Sequence, residues 1–454
     1  MSAGAAGTGD LLDLADRLVA MAEGDEQVEA YVGRSSDTQV RVYGGEVEQL
    51  AVADSLGVGV RVVRDGRQGF AYCGSFDPDA LAETVEEARD NAAFAEADAA
   101  AGLAEPDGVE PAALDLWRPG LADVPTADKV ALAVELERAV LGADPRITGV
   151  ESCDYADSLA EAAVATTTGI RRASRETGCE LVAYSLAADG DDAQTGFGFS
   201  LGRSFDELDV AAAAGDAADR ALRMLGARKP PSGRLTVVLD PWVTAQLLGI
   251  VAGTLGGEEV LKGRSLFAER MGEQVASPLL TLVEDPTDPR SWGATPVDDE
   301  GLATRPVPLV DAGVLTGFVH STWTARRLGT TSTGSAVRGG FKSTPTAGCR
   351  AVVPTVGTAT AAELIAGVAD GVLVQEVSGL HSGVNPVSGD LSTGAEGLRI
   401  RAGEVAEPLR EFTIASTLQR LLHDVTAVGS DLTWLPMSAA GVSLVIGDVA
   451  VSGS

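Results

Sequence analysis

The densest group of chemically active side chains lies in the segment GLHSGVNPVSGDLSTGAEG, residues 379–397. It holds His381, Ser382, Ser388 and Asp390, which are the side-chain types of a Ser-His-Asp hydrolytic triad. Triad members normally come from separate segments, however, and no Gly-x-Ser-x-Gly elbow occurs here. Glycine, serine, asparagine and aspartate are also the residues that tight turns require. The segment therefore favours a shaped loop or pocket wall, and a triad stays open as an alternative.

We treat this segment as the candidate lining of a cavity or of an interface with another chain. Its candidate residues are Gly379, His381, Ser382, Asn385, Ser388, Gly389, Asp390 and Ser392.

The histidines and cysteines of the chain form no recognisable metal motif. No two of His320, His381 and His423 lie within one helical turn of each other, so a zinc pair of the His-x-x-x-His type is absent. The cysteines include no Cys-x-x-Cys pair, which argues against structural zinc and against a disulfide framework. They are Cys73, Cys153, Cys179 and Cys349. A metal site built from the three histidines and Cys349 stays open. Otherwise we expect His320 in a half-buried strand or loop and His423 in the last turns of a helix.

The elements that must position these side chains begin with a helix and a set of strands. Apolar residues at helical spacing predict a first helix; they are Leu11, Leu14, Leu18 and Met21. Val58, Val60 and Val62 alternate with Gly59 and Arg61, which predicts a strand with one apolar face. The pair Asp-Gly at 65–66 predicts a hairpin turn. Asp-Pro at 77–78 predicts the start of a helix.

The following region predicts further helices and strands in an irregular order. We expect helices at about 127–141 and 207–225, with strands at about 147–155, 162–167 and 181–187 between them. This order is typical of an α+β fold rather than of a regular βαβ alternation.

The segment ARKPPSG, residues 227–233, predicts a domain boundary because paired prolines and a glycine end a helical stretch. We therefore expect a mixed α/β domain over residues 1–230 and a β-rich domain with few helices over 231–454. Helices in the second domain are expected only at 242–255, 361–368 and 413–425.

Composition excludes several classes of function. A chain of 454 residues is long enough for two cores, and 45% hydrophobic residues argue against disorder. The formal net charge of −32 argues against binding nucleic acid or an anionic membrane, because both carry phosphates. No apolar run approaches the roughly 20 residues that span a bilayer, and the N-terminal stretch lacks the features of a signal peptide. A cytoplasmic protein is the expectation.

Several motifs, taken in order, resemble the TldD/PmbA family. They include GVGVRVVRDGRQGFAYCGSFDPDAL, LFAERMGEQVASPLLTLVEDP, VLTGFVHSTWTARRLG, and the C-terminal run from GLHSGVNPVSGDLSTGAEG onward to REFTIASTLQRLL. The resemblance covers nearly the whole chain. It implies a metalloprotease complex of two related subunits.

In the TldD branch of that family, a His-Glu-x-x-x-His helix binds zinc and supplies a general base. The corresponding segment here is AQLLGIVAGTLGG, which places Gly249 at the first histidine position, Ile250 at the glutamate position and Thr254 at the second histidine position. Glycine and isoleucine cannot ligate zinc or transfer a proton, and threonine is a poor substitute for histidine. The chain therefore resembles the PmbA or TldE branch, which lacks the zinc motif.

The resemblance implies a catalytically silent subunit with no zinc of its own, a TldD-like partner that carries the zinc, and an unfolded peptide substrate. Two alternatives remain. One is a self-sufficient or biosynthetic peptide hydrolase that uses the loop of His381. The other is a regulatory binding protein, since family names also refer to modulation of DNA gyrase. A homodimer of the isolated chain is left open as well.

Overall fold

The computed structural model describes residues 8–453 of the chain. The first seven residues, on which the signal-peptide expectation partly depends, lie outside the described residues. The predicted α+β fold is confirmed. No helix in the described range is both long and apolar enough to cross a membrane.

The chain divides into two compact units. The N-terminal unit comprises Met1–Leu225, Asp299–Leu302 and Arg338–Pro345, and the C-terminal unit comprises Gly226–Asp298, Ala303–Val337 and Thr346–Ser454. Two short segments from the second half of the sequence therefore belong to the N-terminal unit.

The N-terminal unit is built on a six-stranded antiparallel sheet with strand order β3-β2-β1-β4-β5-β6. Its elements are α1 (Thr8–Val19), β1 (Gln27–Tyr43), β2 (Glu46–Arg64), β3 (Arg67–Cys73), α2 (Pro78–Phe94), α3 (Thr126–Gly142), β4 (Ile147–Thr166), β5 (Arg171–Asp189), β6 (Asp192–Gly202) and α4 (Val210–Leu222). Short 3-10 turns occur at Pro119–Leu121 and Phe205–Glu207.

All four helices of this unit pack on one face of the sheet. Val32 and Val40 of β1 lie on the same face because side chains alternate along a strand, and both are buried. The first contributes to a core with α1 and α2, and the second to a core with α3 and α4. The predicted hairpin at Asp65-Gly66 and the helix start at Asp77-Pro78 are both present, and the Asp77 side chain caps α2.

The structure of this unit differs from the local predictions in two places. The strands expected at 147–155 and 162–167 are one strand, β4, because β1 and β5 pair with it on both sides through the intervening alanine-rich residues. Strand β6 was not predicted, since its glycines lower strand propensity. Those glycines instead allow α4 to pack closely: a β-carbon at Gly198 would lie 2.1 Å from the Ala213 carbonyl oxygen.

The opposite face of the sheet buries a cluster of four charges at one end. Glu29 of β1 accepts hydrogen bonds from Arg61 of β2 and from Arg338, whose Nη2 lies 2.8 Å from Glu29 Oε1. Arg61 also lies 3.6 Å from Glu300. The Arg338 guanidinium stacks on Tyr31, with its Cζ 4.5 Å from the ring centroid. The side of β2 opposite its valines is therefore also buried at Arg61, where the charges of two arginines and two glutamates compensate each other.

Next to this cluster, Phe341 packs directly against two glycines of β2, which have no side chains. A β-carbon at Gly57 of β2 would lie 2.3 Å from the Phe341 ring, and one at Gly59 would lie 2.4 Å from the Phe341 carbonyl oxygen. The segment Arg338–Pro345 is thus held to the sheet by ion pairs and by close packing.

The C-terminal unit contains a mixed six-stranded sheet with strand order β16-β15-β14-β7-β18-β17, in which β14 and β7 are parallel. Strand β16 also pairs with β18, which closes five of these strands into a ring. A four-stranded sheet, β10-β9-β8-β13, and the pair β11-β12 complete the unit. The elements are β7 (Gly233–Leu239), α5 (Pro241–Gly253), α6 (Gly257–Leu261), β8 (Leu282–Glu284), β9 (Val307–Asp311), β10 (Val314–Leu315), α7 (Thr322–Leu328), β11 (Ala336–Val337), β12 (Thr346–Ala347), β13 (Val352–Pro354), α8 (Ala361–Ala366), β14 (Asp370–Ser378), α9 (Leu380–Gly383), β15 (Asp390–Arg401), β16 (Glu404–Thr417), α10 (Leu418–His423), β17 (Val425–Val428) and β18 (Leu444–Ser452).

The helix predicted over 413–425 is only partly present. Residues up to Thr417 continue β16, and only Leu418–His423 are helical. Phe412 and Ile414 are both buried, so the apolar period of two residues outweighs the helical pattern. The predicted helices near 242–255 and 361–368 are present as α5 and α8.

Candidate functional site

The candidate site begins at the junction of β7 and α5. The Asp240 carboxylate accepts a hydrogen bond of 2.9 Å from the Val243 amide, and Pro241 occupies the first helical position. This combination fixes the start of the helix. Seven residues of α5 are buried, so the helix serves as a core element of the C-terminal unit.

The three positions of the expected zinc motif lie along the second half of this helix. Gly249 and Ile250 are half-buried and offer no donor atom for a metal. Thr254 is buried just after the last residue of α5, and its hydroxyl donates to the Val251 carbonyl oxygen at 2.7 Å. The residues at these positions therefore do not fit a zinc ion.

Ser438 lies next to Gly249, the position that corresponds to the first histidine of the zinc motif. A β-carbon built on Gly249 would lie 3.4 Å from Ser438 Oγ. The backbone of Ser438 is fixed independently, because its carbonyl oxygen accepts a hydrogen bond of 2.8 Å from the Val352 amide. No pattern in the sequence connects this serine with α5, so only the structure identifies it as a neighbour of the motif positions.

The segment 379–397 divides into a short helix, a turn and a strand. Gly379 follows β14 in a left-handed conformation, and α9 contains His381 and Ser382. Asn385 begins the turn, where its side-chain oxygen accepts from the Val387 and Ser388 amides at 2.9 and 3.2 Å. The residues from Asp390 onward, Ser392 included, form β15.

Gly389 is required by the geometry of this turn. Its φ angle is +83°, which favours glycine, and a β-carbon would lie 2.0 Å from the Gln419 side chain. Gln419 in turn donates to the Ser388 carbonyl oxygen at 3.0 Å, and the Leu418 amide donates to the Gly389 carbonyl oxygen at 2.8 Å. The turn is thus held against the start of α10.

The triad side chains of this segment are not arranged as a triad. The Ser388 hydroxyl donates to Asp390 at 2.7 Å, and the Ser382 hydroxyl donates to the Gly379 carbonyl oxygen at 3.2 Å. His381 is exposed and, within the described part of the chain, makes no hydrogen bond to either serine or to Asp390. Serine, asparagine and aspartate here shape the backbone of the turn.

The remaining metal alternative is not supported by the geometry. His381 and His423 are exposed, whereas His320 is buried before α7 and burial lowers its pKa. Between residues 8 and 453, no group of three or more His, Cys, Asp or Glu side chains is arranged to hold a metal ion.

Sequence reasoning missed a buried carboxyl group near Cys349. Glu284, at the end of β8, accepts hydrogen bonds from the amides of Arg350 and Ala351 at 2.7 and 3.0 Å. Burial raises the pKa of Glu284 to about 7, and burial beside Glu284 raises the pKa of the Cys349 thiol. A thiol with a raised pKa is a weak nucleophile at neutral pH. The pair therefore organises the backbone after β12 rather than catalysing a reaction.

Three domain models of one family match the chain. They are described as PmbA/TldA metallopeptidase domain 1, over residues 28–92, the central domain, over 119–225, and the C-terminal domain, over 232–453. Among the relatives of the chain, the metalloprotease PmbA of Escherichia coli O157:H7 is 28% identical over 411 residues, which is 89% of this chain and 87% of that protein.

Two solved structures share the fold over nearly the whole chain. One is a protein of Thermotoga maritima described as a candidate modulator of a DNA gyrase, with a TM-score of 0.89, 25% identity, and coverage of 97% of this chain and 99% of that one. The other is TldE of Thermococcus kodakarensis, with a TM-score of 0.87, 24% identity, and coverage of 99% and 100%.

Proposed function

Because this chain belongs to the PmbA/TldD metallopeptidase family, we propose that it is a subunit that carries no catalytic zinc within a two-subunit peptidase complex. In this proposal a TldD-like partner with an intact His-Glu-x-x-x-His helix supplies the zinc and the general base. The complex works in the cytoplasm and cleaves unfolded peptides, and this chain completes the cavity that holds them.

One observation carries the proposal: the composition of the zinc-motif positions on α5. Zinc in a peptidase needs nitrogen, sulfur or carboxylate ligands and an acid–base group beside its bound water. Gly249 and Ile250 supply neither, and the Thr254 hydroxyl is engaged with the Val251 carbonyl oxygen. No other group of metal-ligating side chains compensates for them within residues 8–453.

The environment of α5 supports a structural role for the helix. Leu247, Leu248 and Val251 are buried in the main core of the C-terminal unit. Burying such side chains stabilises a fold by about 2 kcal/mol each. The helix therefore stabilises the C-terminal unit, whereas the corresponding helix of a zinc peptidase also supplies metal ligands.

The experiment measures zinc and peptide cleavage with and without the partner. We expect the purified chain to contain far less than one zinc per molecule and to leave an unstructured fluorogenic peptide intact. Adding a TldD-like relative should produce cleavage faster than that relative achieves alone. Thr254→Val serves as a matched control: it removes the only hydroxyl at the motif positions and should leave the activity of the complex unchanged.

One tightly bound zinc per chain would overturn the proposal, and so would chelator-sensitive cleavage by this chain alone. The hydrolase alternative makes a different prediction, namely activity of the isolated chain that disappears in His381→Ala while the circular dichroism spectrum is unchanged. The engagement of Ser388 with Asp390 argues against that outcome.

A further inference from the structure

The first half of β2 is a free edge of the N-terminal sheet. Strand β1 pairs with β2 along almost its whole length, whereas β3 pairs only with Val58–Arg64. Within residues 8–453, no strand pairs with the outer side of Glu46–Leu56. This segment, which we call the β2 edge, therefore presents unpaired backbone N–H and C=O groups. Such an edge is a template for adding another strand.

The β2 edge also carries an exposed apolar strip. Val47, Leu50, Val52 and Leu56 are 43%, 49%, 62% and 41% exposed. They share one face, because Leu50, Val52 and Leu56 alternate along the strand and a bulge opposite residues 41–42 brings Val47 into phase with them. Side chains of this kind stabilise an added strand by cross-strand contacts.

The negative charges of the β2 edge favour a basic binding partner. The edge contains Glu46, Glu48 and Asp54, and residues 42–60 include no lysine or arginine. The two arginines of β1 that lie opposite the edge, Arg41 and Arg34, are already paired with Asp154 at 2.7 Å and with Glu161 at 2.5 Å. A second copy of the chain would bring its own acidic edge and its own net charge of −32 against these carboxylates. A segment with lysine or arginine complements them.

Both faces of the β2 edge are open. Ten of its eleven residues are exposed, and only Ala51 is half-buried. An added strand would therefore meet no covering layer of helices, which suits a single extended peptide better than the surface of a folded subunit. At about 3.4 Å per residue, the edge accommodates a peptide of about ten residues.

We propose that the β2 edge captures an extended peptide segment with alternating apolar and basic residues by adding it to the sheet as a seventh strand. The peptide's apolar side chains lie over the strip, and its basic side chains project from the other face of the sheet, which carries Glu46. Asp54 lies on the face of the strip, and its negative charge favours a basic peptide through the net charge of the edge. This inference rests on the proposed function in one respect, since it identifies the captured segment as part of the substrate that the complex holds.

The test uses the whole chain without any partner subunit. The probe is a fluorescent peptide of about ten residues in which lysine and valine alternate, and its binding is followed by anisotropy. We expect Leu50→Lys/Val52→Lys to weaken binding at least tenfold. The matched control is Tyr184→Lys/Leu186→Lys, which changes two side chains that are also exposed, at 43% and 37%, but lie on β5, a strand paired on both sides. This control should bind as the unchanged chain does.

Two further measurements complete the test. Adding the lysine–valine peptide should slow amide hydrogen exchange in Glu46–Leu56, and a peptide of alternating glutamate and valine should bind at least tenfold more weakly. Equal binding by the two double variants would overturn the proposal, as would slowed exchange confined to another strand.

Other occupants would also be recognised. A homodimer in sedimentation that is lost in the edge variant, with no peptide binding, would assign the edge to a second copy and overturn the proposal. Protection of the edge by a TldD-like subunit that displaces the peptide would do the same. None of these measurements depends on zinc or on cleavage, so a failure here is distinguishable from a failure of the proposed function.

Discussion

Glutamine in place of Glu29 should destabilise the N-terminal unit by about 3 kcal/mol at neutral pH. Burial by itself raises the pKa of this carboxyl, but Arg61 and Arg338 more than offset that effect and lower the pKa from 4.5 to about 2. Each factor of ten in proton affinity corresponds to about 1.4 kcal/mol, so the ionised carboxylate stabilises the fold by about 3 kcal/mol. This free energy agrees with the loss of about 3–5 kcal/mol that follows when one partner of a buried ion pair is removed.

The effect should depend on pH in a defined direction. Because the pKa of Glu29 is lower in the folded chain than in the unfolded chain, its contribution is present above about pH 4.5 and is lost as the pH falls toward 2. The difference between the unchanged chain and Glu29→Gln should therefore be largest near pH 7 and shrink below pH 4.5.

The assay is urea unfolding followed by circular dichroism, with hydrogen exchange in β1 and β2 to assign the change to this unit. Arg338→Met and the double variant Glu29→Gln/Arg338→Met complete a thermodynamic cycle. Removing both partners leaves Arg61 with Glu300, so the double variant should lose at least about 1 kcal/mol less than the sum of the single changes. Arg171→Met, which breaks an exposed pair with Asp16, is the control and should change stability by less than about 1 kcal/mol.

A loss below about 1 kcal/mol for Glu29→Gln at pH 7 would refute this reasoning, as would an equal loss at pH 7 and at pH 3. Strict additivity in the cycle would show that Glu29 and Arg338 are not energetically coupled.

The other predictions concern packing and a second buried carboxyl. Gly57→Ala should lower the midpoint of urea unfolding, with a loss of about 1–3 kcal/mol, because its β-carbon would lie 2.3 Å from the Phe341 ring and 2.5 Å from the Cys73 carbonyl oxygen. Adding Phe341→Ala should reduce the cost of the glycine substitution without abolishing it, since the Cys73 carbonyl oxygen remains, and an unchanged cost in that background would contradict the overlap with the ring. Glu284 should make the chain less stable as the pH rises from about 4.5 to 7, because burial raises its pKa to about 7 and stability is lost as pH rises through the folded pKa. Thermal unfolding should therefore show a weaker decrease over this pH range for Glu284→Gln than for the unchanged chain, and parallel curves would contradict it.

Local patterns in the sequence predicted much of the fold correctly. The alternation at Val58, Val60 and Val62 and the Asp-Gly and Asp-Pro signals identify β2, its hairpin and the start of α2. These features depend on side-chain period, backbone preference and capping, which act over a few residues. The length of β4 and the end of β16 were predicted less accurately, because pairing with neighbouring strands determines where these strands end more than their own residues do.

In the candidate site too, some features could be predicted from the sequence and others required the structure. The absence of zinc ligands at Gly249 and Ile250 is a property of residue type, and no tertiary structure could supply them. The meaning of residues 379–397 required the structure, since the same side chains could form a triad or a turn. Their hydrogen bonds, from Asn385 to the backbone and from Ser388 to Asp390, identify a turn.

The sequence by itself determined that the chain has alternating strands, capped helices, a family resemblance and no zinc motif. Only the tertiary structure decided which distant groups are in contact, namely Glu29 and Arg61 with Arg338, and Phe341 with Gly57. It also decided that the outer side of the first half of β2 has no neighbouring strand. The physical reason is that local preferences reflect interactions between near neighbours. Burial of a charge pair or exposure of a strand edge depends instead on where the whole chain places residues hundreds of positions apart.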